Sequence, residues 1–254
     1  MPVITPPGAA TAANPPWLSV IVPVRNEALR LAATLAPLQA WRAHGVEILV
    51  VDGGSDDDSA ACAAALADRV LRSPPGRALQ MNCGAQAARG HWLWFLHADT
   101  GITEQHLAAM KALPDDAGWG FFRVRMSTPG LLLRCVATLM NLRSRSTGVA
   151  TGDQGILVNA ALFRAVGGYP ALPLMEDVAL SKLLRGQSAP SVLGPPLTVD
   201  SRRWVQHGTW RTILLMWRLR WRYWRGGDPQ QLHALYYGRP APQGRRGQRD
   251  TPDA

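Results

Sequence analysis

The most constraining feature of the chain is a rhythm. Short runs of apolar, β-branched residues alternate with Ala/Leu-rich helical stretches over its first hundred residues. Leu18-Ser-Val-Ile-Val-Pro-Val24, Val46-Glu-Ile-Leu-Val-Val51 and Trp92-Leu-Trp-Phe-Leu96 read as strands buried on both faces. Arg69 to Leu71 reads as a shorter third strand between them. Glu27 to Trp41, with Asn26 as its cap, reads as helix, and so does Arg77 to Arg89. A helix also opens at Ser55, where Ser55 and Asp58 have capping-box spacing, and runs to about Ala67. Strands and helices in this order build βαβ units, so the expected class is α/β with a mostly parallel sheet.

In open α/β sheets, ligands bind beyond the carboxyl ends of the strands. That rule selects Arg25 to Glu27, Asp52 to Ser55, and His97 to Thr100, and all three stretches are polar. Asp52 before Gly53-Gly54 can accept hydrogen bonds from a ribose or base edge, or it can simply build a capped turn. Asp99 can hold a hard divalent cation; His97 is a ligand or a polar strand end. Arg77, Gln80, Asn82 and Gly84 follow the third strand and can line a pyrophosphate pocket or form a solvated helix face. Glu176-Asp177 opens a later helix, where acidic residues suit either the helix dipole or general-base chemistry.

Beyond Gly101 the pattern loosens. Helices are expected over 103–113, 131–142, 160–166 and 175–185, and strands over 119–126, 155–158 and 191–199. No P-loop, GxGxxG, HExxH or GxSxG pattern occurs, which excludes several common enzyme classes. Three dispersed cysteines without a CxxC pair fit a reducing compartment. Met1 to Pro16 lacks the features of a signal peptide and reads as a loose leader. No run of 18 apolar residues is present.

The ordered set resembles the family-2 glycosyltransferases of GT-A fold. It is carried by Leu18-Ser-Val-Ile-Val-Pro-Val-Arg-Asn-Glu27, Glu47-Ile-Leu-Val-Val-Asp-Gly-Gly-Ser-Asp56, Phe95-Leu-His-Ala-Asp-Thr100 and Glu176-Asp177. Gly152-Asp-Gln-Gly155 and Gly167-Gly-Tyr-Pro170 are similar to the bacterial subgroup named for arsenosugar biosynthesis, also called selenodomain-associated transferases. The resemblance implies a nucleotide-diphospho-sugar donor, Mn²⁺ or Mg²⁺ on its diphosphate, and inverting transfer to an acceptor hydroxyl. A non-catalytic protein that binds nucleotide-sugar or membrane on the same fold is the alternative.

By the same resemblance Asp177 is the catalytic base. Pro23, Arg25, Glu27, Asp52, Arg77, Asn82, Asp99 and Arg203 contact the donor. Asp153, Gln154 and Glu176 face the acceptor, a small molecule or a lipid-linked one. Asp99, His97 and His207 are the metal-ligand candidates, with His97 standing where the family's DXD motif has its first Asp. Asp200-Ser-Arg-Arg-Trp204 departs from the QxxRW motif of processive members by Asp in place of Gln.

The net charge of +9 is unevenly placed. Residues 202–254 hold 11 Arg and 3 Asp, so the C-terminal quarter carries +8 of it. The expected divisions are a leader over 1–16, a catalytic domain over 17–204, an amphipathic helical extension over 205–237 and a disordered basic tail over 238–254. In the last helix, Gly208 to Arg225, Trp210, Ile213, Leu214, Trp217, Trp221 and Trp224 share one face, and Arg211, Arg218, Arg222 and Arg225 stripe its border. Amphipathic helices mostly pack their apolar face on their own protein, which is the first expectation here. The second is an anionic membrane surface met by residues 205–225. The basic excess meets no recognised nucleic-acid module, so no nucleic-acid partner is expected. The expected location is cytoplasmic, or peripheral on the inner face of the cytoplasmic membrane.

Overall fold

The computed structural model describes residues 15–114, 116–206 and 208–238. The leader and tail therefore lie almost wholly outside the described residues, as does His207; the Arg203 side chain is also outside them.

One eight-stranded sheet organises the chain. Its strands are β1 (Leu18–Val24), β2 (Val46–Asp52), β3 (Arg69–Arg72), β4 (Trp92–Phe95), β5 (Thr100–Gly101), β6 (Trp119–Met126), β7 (Leu157–Asn159) and β8 (Ser191–Val199). They stand in the order β3-β2-β1-β4-β7-β6-β8-β5. The β3-β2-β1-β4 half is parallel throughout. Beyond it, β7 runs antiparallel to both β4 and β6, while β8 is parallel to β6.

The first strands sit centrally because both of their faces are apolar. Leu18, Val20 and Val22 of β1 pack with Trp41 and Leu35, on the side covered by α1 (Ala28–Leu35) and α2 (Leu38–Trp41). Ile21 points the other way, toward Met81 and Ala85 of α4 (Arg77–Ala87). This is the period-two alternation of a buried strand. Gly84 lets α4 close on β1: a Cβ there would lie within 2.4 Å of Ile21 Cγ2. Gly84 is thus a packing residue, and the expectation that it lines a pyrophosphate pocket is corrected.

Several element boundaries differ from expectation. The predicted helix from Glu27 to Trp41 is split, because Pro37 has no N–H to continue α1 and instead opens α2. Asn26 adopts left-handed backbone (φ 58) and makes no side-chain cap; its Oδ1 accepts from the Asp56 N–H instead. The α1 entrance is satisfied from across the loop, by Ser59 Oγ on the Glu27 N–H and Asp57 Oδ2 on the Ala28 N–H. Helix α3 (Ser59–Leu66) starts four residues after Ser55, so the Ser55/Asp58 capping box does not form.

The remaining helices are α5 (Glu104–Lys111), α6 (Leu131–Thr147), α7 (Ala160–Ala165), α8 (Glu176–Arg185), α9 (Arg202–Gln206), α10 (Thr209–Trp224) and α11 (Pro229–Tyr237). Helices α10 and α11 seat Leu219 and Leu232 in a small core with Leu174, Met175 and Val178. No helix among the described residues is long and apolar enough to cross a membrane.

Candidate functional site

Register brings the polar strand ends together. Val24 pairs with Asp52, Asp52 with Arg72, and Phe95 with Ile21, so β1 to β4 finish along one edge. Gln80 clamps that edge by donating from Nε2 to the carbonyls of both Val24 and Val51. Gly53 lies against the same amide, and a Cβ there would approach it to 2.8 Å.

A cleft of about 520 Å³ opens beyond these ends. Pro23 lines it from the end of β1, Arg25 and Glu27 from the β1–α1 loop, Arg77 from α4, His97 and Asp99 from the loop after β4, and Glu176 from α8. Pro23 and Glu176, 153 positions apart, therefore share one wall. The Asp99 loop is tied down by Thr34 of α1, whose hydroxyl donates to the buried Ala98 carbonyl at 2.7 Å.

Other expected site residues are engaged elsewhere. Asp52 is buried, and its Oδ1 accepts from both the N–H and the hydroxyl of Ser55; the capped-turn reading holds there. Asn82 exchanges two hydrogen bonds with the Tyr169 backbone, anchoring the Gly167-Gly168 loop to α4. Gln154 is wholly buried, accepts from Ser144 Oγ and the Thr151 N–H, and donates to the Phe122 carbonyl. Asn82 and Gln154 thus position loops, and neither is among the residues that line the cleft. Asp200 accepts from the Arg202 N–H and lies 3.4 Å from Arg30 Nε, a structural bridge between α1 and α9.

The acidic groups form a chain of contacts. His97 Nδ1 lies 3.2 Å from Asp153 Oδ1. Its Nε2 backs onto Gly152, where a Cβ would come within 2.7 Å. With both ring nitrogens turned to the 152–154 turn, His97 braces that turn while also lining the cleft. Among the described residues no group of three or more His, Cys, Asp or Glu converges as a ready-made metal cage. The Gly152 N–H in turn donates to Asp177 Oδ2 at 2.7 Å, and the Val178 N–H to Asp177 Oδ1 at 2.7 Å. Met175, just ahead of these residues, is held in left-handed backbone (φ 67), a conformation that costs a non-glycine residue about 1 kcal/mol or more.

Electrostatics at α8 run against the helix dipole, which favours ionised acids in a first turn. Burial, then the Asp177 charge, push the Glu176 carboxyl up to about 7, with Arg77 opposing. Burial also raises Asp177; the Gly152 and Val178 N–H groups pull it down and Asp153 pushes it up. Asp153 ends below its ordinary value: burial would raise it, but the hydrogen bond and charge of His97, with Arg77, outweigh that. Glu27 is raised by burial and then by the Asp99 charge, opposed by Arg30, whose Nη1 lies 3.6 Å from its Oε2. Asp99 and Glu27 thus place two repelling carboxylates in the cleft, a donor set that suits a hard divalent cation.

Three features escape the sequence reading. Arg143 of α6 is half-buried, with Nε and Nη1 buried and unpartnered; burial lowers its pKa against the Asp177 charge. Tyr169 is buried near the same carboxylates, which with burial hold its phenol protonated. Gln230, His233 and Tyr237 of α11 complete the cleft wall. Only α11 has a sequence signal: Asp228-Pro229 is a cap followed by Pro at the first helical position, and Asp228 Oδ1 accepts from the Gln230 N–H.

The strand order, the cleft at the parallel strand ends and the acidic pair at α8 now have an external comparison. Residues 19–122 match the family model described as Glycosyl transferase family 2. That span runs from β1 into β6 and includes the Arg25, Asp52 and Asp99 loops. No curated protein sequence matches the chain. Among solved structures, S. aureus TarS 1-349 in complex with UDP-GlcNAc aligns at TM-score 0.57 and 19% identity, over 72% of this chain and 58% of that one. The mannosyltransferase PcManGT from Pyrobaculum calidifontis, in complex with GDP-Man and Mn²⁺, aligns at TM-score 0.57 and 21% identity, over 77% of this chain and 58% of that one. Glucosyl-3-phosphoglycerate synthase from Mycobacterium tuberculosis, in complex with Mn²⁺, UDP and glucosyl-3-phosphoglycerate, aligns at TM-score 0.52 and 16% identity, over 72% and 71%. The chain thus spans under three fifths of the TarS and PcManGT chains it matches. The fold is GT-A-like.

Proposed function

We propose that the chain is an inverting glycosyltransferase that moves a sugar from a nucleotide-diphospho-sugar to an acceptor hydroxyl. The observation that carries this reading is the convergence of Arg25, Glu27, Arg77, Asp99 and Glu176 in one cleft at the parallel strand ends. The family match over residues 19–122 and the nucleotide-sugars in the neighbours' complexes support it.

Pro23 to Glu27 bind the nucleoside end of the donor, and Arg77 and Arg25 face the diphosphate. A divalent cation, when bound on Asp99, supplies charge neutralisation to the departing diphosphate. Mn²⁺ in the PcManGT and glucosyl-3-phosphoglycerate synthase complexes agrees with such a cation. Asp177 removes the acceptor hydroxyl proton as that oxygen bonds to the anomeric carbon. The bond from that carbon to the diphosphate oxygen breaks on the opposite face, so the configuration inverts. The Gly152 and Val178 N–H groups fix the carboxylate's orientation, and Glu176, pushed up to about 7, keeps its proton through the acid range and adds little competing charge there. The Gly152-Asp-Gln-Gly155 and Gly167-Gly-Tyr-Pro170 segments favour membership of the arsenosugar-biosynthesis type; sugar and acceptor are left open by that likeness.

Calorimetric titration with UDP and GDP tests the donor half of this reading. One of the two is expected to bind wild type at least about tenfold more tightly with Mn²⁺, and Asp99→Ala to lose that gain. Equal affinity with and without Mn²⁺ would remove the cation, and no binding of any nucleoside diphosphate would remove the donor.

A further inference from the structure

Helix α10 turns its apolar face the opposite way from the first sequence expectation. Trp210, Leu214, Trp217, Trp221 and Trp224 are 56 to 76% exposed. The helix is anchored instead through Thr212 and Leu219, which are buried, and through Leu215, Met216 and Tyr223. At about 100° per residue the five exposed residues fall within an arc of about 80°, and the anchoring residues centre roughly opposite. The burial of an amphipathic helix on its own domain is therefore achieved by a second, less obvious face. The Trp face is left over.

We propose that this face docks the protein on an anionic lipid bilayer. Its composition selects that occupant. Trp is the side chain that favours the headgroup level, with an apolar ring and a polar N–H. Arg211, Arg218, Arg222 and Arg225 run along one border of the Trp stripe and Arg220 along the other, and residues 209–227 contain no acidic residue. Their stems can lie along the apolar stripe while the guanidinium groups reach phosphate oxygens. Arg225 already stacks over the Trp221 ring at 4.9 Å. A second copy of the chain is disfavoured by the same charges, since a two-fold contact through this face would set five Arg against five Arg.

The anchoring face gives docking a consequence. Leu219 packs with Met175 and Val178, which flank Glu176 and Asp177. A bilayer on the Trp face would lie about one helix diameter, roughly 10 Å, from the start of α8.

Co-sedimentation of the full chain with phosphatidylcholine vesicles, with and without phosphatidylglycerol, tests the proposal. The chain is expected to pellet with the anionic vesicles at least about tenfold more strongly than with neutral ones, to be released by salt, and to show blue-shifted Trp emission when bound. Combined Trp217→Ser, Trp221→Ser and Trp224→Ser should remove at least about tenfold of that binding with an unchanged circular dichroism spectrum, because none of these rings is buried. Arg218→Glu with Arg222→Glu, which leaves every Trp in place, should weaken binding to anionic vesicles alone. Absence of pelleting with anionic vesicles at low salt overturns the proposal. So does full binding by a folded triple variant. A wild-type dimer in sedimentation velocity that the Trp substitutions dissociate, without vesicle binding, assigns the face to a second copy.

Discussion

Asp177→Asn is expected to lower sugar transfer by about a thousandfold while nucleotide affinity stays within a factor of about two. The substitution keeps the size of the side chain and removes its ability to take a proton. Binding should survive because the donor wall is built from Arg25, Glu27, Arg77 and Asp99. The asparagine can accept from only one of the Gly152 and Val178 N–H groups, so a cost of about 1 kcal/mol in stability is expected. Wild-type activity carries the matching pH dependence. The base works when ionised, and burial and neighbouring acids raise both members of the acidic pair, Glu176 to about 7. Transfer should therefore be lost on the acid side at a higher pH than an ordinary aspartate would give, in the manner of a coupled pair, and hold on the alkaline side. A steady-state pH profile of kcat for wild type, beside kcat and nucleotide Kd for Asp177→Asn, checks both. Near-wild-type turnover in the variant would discard the base assignment.

Gly152→Ala is expected to cost about a hundredfold in transfer, with a smaller effect on stability. This position carries no ionisable group, so the loss would come from geometry. The new methyl would meet His97 at 2.7 Å from Nε2 and 2.8 Å from Cε1, and that ring is held on its other side by Asp153. Either the ring or the turn must shift. A shifted turn moves the Gly152 N–H that holds Asp177 Oδ2, and displacements near 1 Å at a reacting group can cost that much. The expected signature is a fall in kcat with nucleotide affinity preserved. An unchanged kcat would show that the 152–154 turn does not position the base.

Strands β1, β2 and β4 were legible because they are buried on both faces, and a run of Val, Ile, Leu and Trp has few other uses. The cleft was legible as strand ends for the same reason: Arg25, Glu27, His97 and Asp99 each follow one of those runs. Polar residues at and beside the strand ends are harder to assign. Asp52, Asn82 and Gln154 have the chemistry of ligand contacts, yet their partners are Ser55, the Tyr169 backbone and the Ser144–Thr151 region. An amide or carboxylate serves a loop or a ligand equally well, and only packing decides between them. Long-range pairings set the rest. Arg143 feels the Asp177 charge across 34 positions of sequence, and β5 is a two-residue strand that pairs with β8. The α10 face was misread because Trp dominates any count of hydrophobicity, whereas the smaller Thr212, Leu215 and Leu219 fit the available groove.

Nucleotide-sugar turnover is the decisive test of the transferase reading. Proton NMR can follow UDP- and GDP-sugars incubated with the full chain and Mn²⁺, with water or an added alcohol as acceptor. One of these donors is expected to release its nucleoside diphosphate, the first-formed sugar to have the anomeric configuration opposite to the donor's, and Asp177→Asn to release none above background. No consumption of any donor beyond the Asp177→Asn level, or a product that keeps the donor's configuration, would contradict that reading.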